Sequence, residues 1–118
     1  MSASPEKTAR IRELNDRLRR HGIGGRVMIT PGIQALGCDG IREVLVAVAR
    51  FNDFIEDNDP WHEHDCAVLT VNGRRIIFKH DYYDCSLQWH SPNASDPTVT
   101  ERVLTIMLAE EYCEPPPN

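Results

Sequence analysis

The sequence has no apolar run long enough to cross a bilayer, few aromatic residues (7%) and no surplus of positive charge: 13 Lys and Arg stand against 18 Asp and Glu. A membrane helix needs about 18 or more consecutive apolar residues, so none is expected. A general nucleic-acid coat needs a basic surface, and a net charge of −5 argues against one. Cys-x-x-Cys is missing as well. Cys38, Cys66, Cys85 and Cys113 lie 28, 19 and 28 positions apart, which disfavours a zinc ribbon or a redox pair. Neither Gly-x-x-x-x-Gly-Lys nor Gly-x-Gly-x-x-Gly occurs, so the stretch from Thr30-Pro31-Gly32 to Gly37 reads as a turn with a helix-cap glycine, not as a phosphate cradle. The opening Met1-Ser2-Ala3-Ser4-Pro5-Glu6 lacks the apolar core of an export signal. A cytoplasmic location with free thiols is therefore expected.

What is present is 118 residues with 41% apolar content. That is enough for one domain with its own core. The domain is taken as 1–118, ordered from about 5 to 113, with a Pro-rich extension at 114–118 that cannot continue a helix. The charge falls in blocks. Residues 1–26 carry seven basic and three acidic side chains, residues 39–65 two and eight, residues 66–80 three and none, and residues 81–118 one and seven. Blocks of this kind bear on partners rather than on fold.

Local signals give the elements. Ser4 as cap, Pro5 at the first position and Gly22 as stop bound a helix, with Ile11, Leu14 and Leu18 on one apolar stripe and arginines over much of the rest. Arg26–Thr30 reads as a short strand and residues 30–36 as a turn. Asp39 is expected to cap a second helix ending near Phe51, with Ile41, Val44, Leu45 and Val48 at helical spacing. Residues 52–65 form a long acidic loop, and loops of that length are commonly functional. Asn72-Gly73 between two β-rich runs predicts a two-residue hairpin in which Val71 faces Arg74, Leu69 faces Ile76 and Ala67 faces Phe78. Extending that ladder sets Asp65 opposite His80 and His64 opposite Asp81. A third strand is expected at Ser86–His90, with Leu87 and Trp89 inward. Asp96-Pro97 then opens a last helix, with Val99, Val103, Ile106, Met107 and Tyr112 on a buried face widened by Leu104 and Leu108.

The residues with chemical potential cluster at Asp57, Asp59, His62, Glu63, His64, Asp65, His80, Asp81 and Asp84. Carboxylates and imidazoles converging from two strands could hold a divalent metal, with His62, His64, Asp65 and Asp81 as ligands. A metal-dependent hydrolase would then use Glu63, His64, Asp65 and Asp81. The spacing of His62 and His64 is not the His-Glu-x-x-His pattern, and Asp57, Asn58 and Asp59 read naturally as turn residues. No cationic group or helix N-terminus marks Cys66 or Cys85 as a nucleophile. Binding is the reading preferred over catalysis, with Asp57, Asp59, Trp61 and Glu63 as the contact residues and no cofactor. Nucleic acid would be reached only through Arg12, Arg19 and Arg20.

Several segments in order, namely Asn58-Asp59-Pro60, Glu63-His64-Asp65, Asp81-Tyr82-Tyr83-Asp84 and Arg102 to Ala109 with Glu111-Tyr112, resemble the domain-of-unknown-function 3768 family. The resemblance covers roughly residues 9–112. Family members usually read Glu-His-Asp-Phe-Gly where this chain has Glu63-His64-Asp65-Cys66-Ala67. The resemblance implies small bacterial proteins, often carried on plasmids and other mobile elements, without an assigned activity. The overall expectation is an α+β domain: a mainly antiparallel sheet of three to four strands with about three helices packed on it. Its expected role is that of an accessory protein, an anti-CRISPR or anti-restriction inhibitor that offers acidic surface to a basic host or phage-defence protein.

Overall fold

Ser4 and Gly22 bound the first helix as the sequence predicts. In the computed structural model, which describes residues 4–112, α1 runs Pro5–His21. The Ser4 hydroxyl accepts from the Lys7 N–H at 3.2 Å, and Gly22, left-handed at φ 68°, closes the last turn by donating to the Leu18 carbonyl. Ile11, Leu14 and Leu18 are buried as expected, and so are Asn15 and Arg19.

Strand β1 (Arg26–Ile29) follows, then a single turn of helix, α2 (Pro31–Gln34), and α3 (Gly37–Arg50). α3 starts two residues before the expected cap: Asp39 lies inside its first turn, where a carboxylate still favours the positive end of the helix dipole. The 52–65 loop leads into the hairpin of β2 (Cys66–Val71) and β3 (Arg74–Tyr83). Its register is the expected one, with Val71 paired to Arg74, Leu69 to Ile76 and Ala67 to Phe78. Asn72 and Gly73 take φ of 50° and 80°, as the turn requires.

Two expectations fail in the last third. Residues 86–90 form no strand: Leu87 and Trp89 are exposed, and one isolated bridge joins Tyr83 to His90. Nor is the last apolar stretch a helix. Residues Glu101–Leu108 form β4, followed by a short 3-10 turn over Ala109–Glu111. β4 is central, paired antiparallel with β3 and parallel with β1. Burial along β4 alternates, with Arg102, Leu104, Ile106 and Leu108 on the helix-covered face, but Val103 and Met107 on the other face are apolar too, so the apolar positions also match helical spacing by accident.

The sheet order is β1-β4-β3-β2, mixed but mainly antiparallel. Leu18 of α1 and Val44 and Val48 of α3 pack on the face presented by Ala67, Ile76, Phe78, Leu104, Ile106 and Leu108. Gly25 runs so close to the Arg102 carbonyl that a Cβ would collide with it, which lets β1 lie against β4. Among the described residues no helix is long and apolar enough to cross a membrane. Cys113 and the Pro-rich segment lie outside the described residues.

A candidate binding site on a buried polar anchor

Asn15 breaks the apolar stripe of α1. It is fully buried, and a polar group there must find partners. Its amide Nδ2 donates to the Glu63 carbonyl (3.0 Å) and to the Tyr82 hydroxyl (2.8 Å), and its Oδ1 accepts from Arg102 Nε (2.7 Å). The Tyr82 hydroxyl donates onward to Glu63 Oε1 at 2.9 Å. Arg102 is 1% exposed, lies over the Tyr82 ring at 5.0 Å and donates to the Ala94 carbonyl. A helix, two central strands and the long loop therefore meet at one residue.

The next turn of α1 holds the same loop a second time. His64 Nδ1 sits 3.0 and 3.1 Å from the Asp16 carboxylate oxygens, so that nitrogen carries the N–H. Its ring stacks on Phe54 at 3.8 Å, nearly parallel. Asp59 is buried; it accepts from the His64 backbone N–H at 3.0 Å. Asp16 also accepts from Arg19 at 2.9 Å. Burial alone would raise the Asp16 carboxyl, but the bonds from Arg19 and His64 hold it below its ordinary value. Farther up, Arg12 donates to the His62 carbonyl.

His80 completes the anchor beneath. Its ring lies between two backbone carbonyls, Asp65 at 2.9 Å and Asn15 at 3.1 Å. Burial pushes the imidazole down to about 4; the Asp65 and Asn15 carbonyls pull it up, and the charges of Arg102 and Arg19 push it further down. The hairpin does bring Asp65 beside His80, as the register requires, but it is the Asp65 backbone and not its carboxylate that meets the ring. His64 does not face Asp81. Its backbone is left-handed (φ 52°), as is that of His62 (φ 59°), and Asp81 bonds Lys79 at 2.7 Å. Left-handed residues that are not glycine are held there by their surroundings, and here they flank Glu63.

Above the anchor, Pro5, Thr8, Arg12, Pro60, Trp61, His62 and Glu63 line a groove of about 550 Å³. Trp61 on its rim is 65% exposed. Glu63 is half-buried in its wall; burial pushes its carboxyl up, partly offset by the Tyr82 hydroxyl. Asp57 is exposed, whereas Asp59 is turned inward. Of the four expected contact residues, then, Asp57, Trp61 and Glu63 reach the surface and Asp59 serves the loop from inside.

The arginines of α1 are likewise divided. Arg19 is buried and donates to the carbonyls of Val48, Ala49 and Phe51, closing the C-terminus of α3, with its guanidinium over Phe54 and Phe78. It is not available to nucleic acid. Among the described residues no three His, Cys, Asp or Glu side chains are placed to hold a metal ion. His62, His64, Asp65 and Asp81 in particular do not converge, because the loop twists away from the ladder at His64. The Cys66 thiol is pushed up by burial and by the carboxylates of Asp65, Asp59 and Asp81, the opposite of what a nucleophile needs.

Asn15, Asp16 and Arg102 fall within segments that carry the family resemblance, but nothing in their spacing singles them out as site residues. Asn15 lies beside Ile11, Leu14 and Leu18 on the buried face of α1, the one uncharged polar residue there, with Arg19 one turn on. Arg102 becomes visible only once 101–108 is read as a strand, where it shares the inward face with Leu104 and Ile106.

These features define a two-layer α+β domain with a loop fastened to a buried polar anchor. Residues 29–111 match the family described as proteins of unknown function, DUF3768, and the chain belongs to that family. No curated protein and no solved structure matches it. Two of the segments that carry the resemblance, Glu63-His64-Asp65 and Asp81-Tyr82-Tyr83-Asp84, meet at the Tyr82–Glu63 hydrogen bond.

Proposed function

We propose that the protein is a non-enzymatic binding protein whose 52–65 loop docks on a basic protein partner. The observation that carries this reading is Trp61, 65% exposed on the rim of a groove whose supporting loop is tied down from beneath. Exposed aromatics on a rigid support, with an exposed carboxylate such as Asp57 nearby, are the ingredients of an interface hot spot with a charged rim. A bacterial mobile-element gene acting in the cytoplasm as an anti-CRISPR or anti-restriction inhibitor fits this reading: the acidic loop would stand in for phosphate against a nucleic-acid-binding enzyme.

The test compares affinity capture from host lysate by the wild type, Trp61→Ala and Asp57→Lys. The expected result is one protein that both variants lose and that added salt weakens. A set of captured proteins unchanged by either variant would sink the reading. The metal-dependent hydrolase alternative is weakened because His64 is engaged by Asp16 and Asp81 by Lys79. A rise in melting temperature with Zn²⁺, Mn²⁺ or Mg²⁺ would restore it, since a ligand of the native state must stabilise it.

A further inference from the structure

The outer edge of β2 is an unprotected sheet edge. In the hairpin, His80 N–H donates to the Asp65 carbonyl at 2.7 Å, which sets the alternation: residues 65, 67, 69 and 71 turn their backbone groups to β3. The N–H and C=O groups of Cys66, Val68 and Thr70 therefore point outward. The Cys66 N–H is turned to the neighbouring Asp65 carboxylate; among the described residues the others have no hydrogen-bond partner, and β2 has no neighbouring strand on that side. Edges are normally blunted by charge, proline or a bulge. Here residues 66–73, Cys-Ala-Val-Leu-Thr-Val-Asn-Gly, carry no charge and no proline, and the β2–β3 register runs without a bulge. The opposite edge strand, β1, is shorter and carries Arg26.

We propose that β2 is a self-association edge, pairing antiparallel with β2 of a second copy about a two-fold axis at Val68. A two-fold contact sets each residue against its own image or against a single partner, so any charge in the strand would meet a like charge near the axis. An uncharged strand meets none. Centring on Val68 also pairs Cys66 with the partner copy's Thr70, and every outward N–H and C=O of Cys66, Val68 and Thr70 on both strands is then used. Shifting the centre leaves some of them unpaired. The product is one continuous sheet of twice the present four strands, with the helices of both copies on one side. The side chains of Cys66, Val68 and Thr70 lie on the other, helix-free face, where Val68 is 44% exposed and borders an apolar recess with Ile77. The proposal does not depend on the loop-binding reading.

Sedimentation velocity across a concentration series of the full chain tests it. Dimers that build up with concentration are expected. Val68→Lys, which sets two ammonium groups together on the axis, and Val68→Pro, which removes an outward N–H that the monomer does not use, should both leave a folded monomer by circular dichroism. Thr70→Cys in a background of Cys38→Ser, Cys85→Ser and Cys113→Ser should cross-link to Cys66 of the second copy under mild oxidant and run at twice the mass without reductant. A monomer at every concentration overturns the proposal. So does a dimer that survives both Val68 variants, or one that forms while the Thr70→Cys pair stays unlinked. A monomer that dimerises only after residues 113–118 are deleted would show that the chain's own end occupies the edge, which also overturns it.

Discussion

The 52–65 and 84–100 loops are both long and irregular, yet they are held in opposite ways. The second fastens itself. Asp84 Oδ1 accepts from the Ser86 hydroxyl and from the Gln88 and Trp89 N–H groups; Asn93 bonds Ser95, Asp96 bonds Thr98, and Ser91 meets Thr100. Its shape follows from local turn chemistry of Asp, Asn and Ser. The first loop has fewer such bonds: the Ile55 N–H donates to Asn58, Asn58 donates to the Asp53 carbonyl, and the His64 N–H donates to Asp59. From Asp59 onward it leans on Arg12, Asn15 and Asp16, which lie 48 to 50 positions away in the chain. A loop secured locally can be disturbed without touching the core. A loop secured by a buried network cannot, and such dependence gives a binding surface a fixed shape.

Asn15→Ala should have the largest effect. It leaves the Tyr82 hydroxyl and the Arg102 guanidinium each short of a partner in a buried site, at a cost of about 3 kcal/mol. Denaturant unfolding measures the loss. Hydrogen exchange should accelerate across 59–65 but not across 84–98. Equal acceleration in both loops would mean that the two are secured by the same network.

Acid should come next, acting through His80 under the same loop. Its imidazole titrates near 6.5 unfolded and near 4 folded. Between those values the unfolded chain binds more protons, so stability is complete above pH 6.5 and is lost as the pH falls toward 4, by up to about 3 kcal/mol. Asp16, held low, gives up its contribution only below its ordinary 3.8. Glu63 and Asp65, both held high, act in the opposite sense, because protonation relieves them. Unfolding curves at stepped pH should therefore slope downward from 6.5, and His80→Gln should flatten that slope. An unchanged slope in the variant would assign the acid sensitivity elsewhere.

His64→Leu removes the Asp16 bond and the polar half of the stack on Phe54, while keeping apolar bulk. A loss of about 1–2 kcal/mol is expected, with Trp61 fluorescence shifting as the rim of the groove loosens. An unmoved emission maximum would mean that Asn15 alone fixes the groove.

The legible parts of this protein are those whose determinants sit close together in the chain. Ser4 and Gly22 name the ends of α1, and Asn72-Gly73 sets the hairpin and its register to the residue. The 52–65 loop stands out through its length and acidity. What stayed hidden depends on contacts made at long range. Strand β4 reads as a helix because Asp96-Pro97 is a sound helix start and because Val103 and Met107 on its outer face, with Arg102 on its inner one, blur the period-two alternation. With β4 misread, Arg102 had no address, and the partner of β1 could not be named. A regular ladder extended past Asp65 sets His64 opposite Asp81, whereas the positive φ of His64 breaks the ladder one residue before Asp65. The site is thus half visible: its surface residues follow from the acidic loop, whereas the meeting of Asn15, Tyr82 and Arg102 beneath it depends on the sheet order.

The smallest effect belongs to Asp84→Ala. Asp84 caps its own turn, and the bonds from Ser86, Trp89 and Gln88 hold its carboxyl below the ordinary range in an exposed position. Removing it takes acceptors from three donors that water can reach, so the groups are rehydrated rather than stranded. Amide exchange at Gln88 and Trp89 should quicken while the global unfolding midpoint stays within error of wild type. Capture of a partner through Trp61 should be unaffected, because no bond from 84–90 reaches the 52–65 loop among the described residues. If Asp84→Ala did lower the midpoint or weaken capture, the 84–100 loop would be part of the same cooperative unit as the anchor, with the Arg102 bond to Ala94 as the link between them.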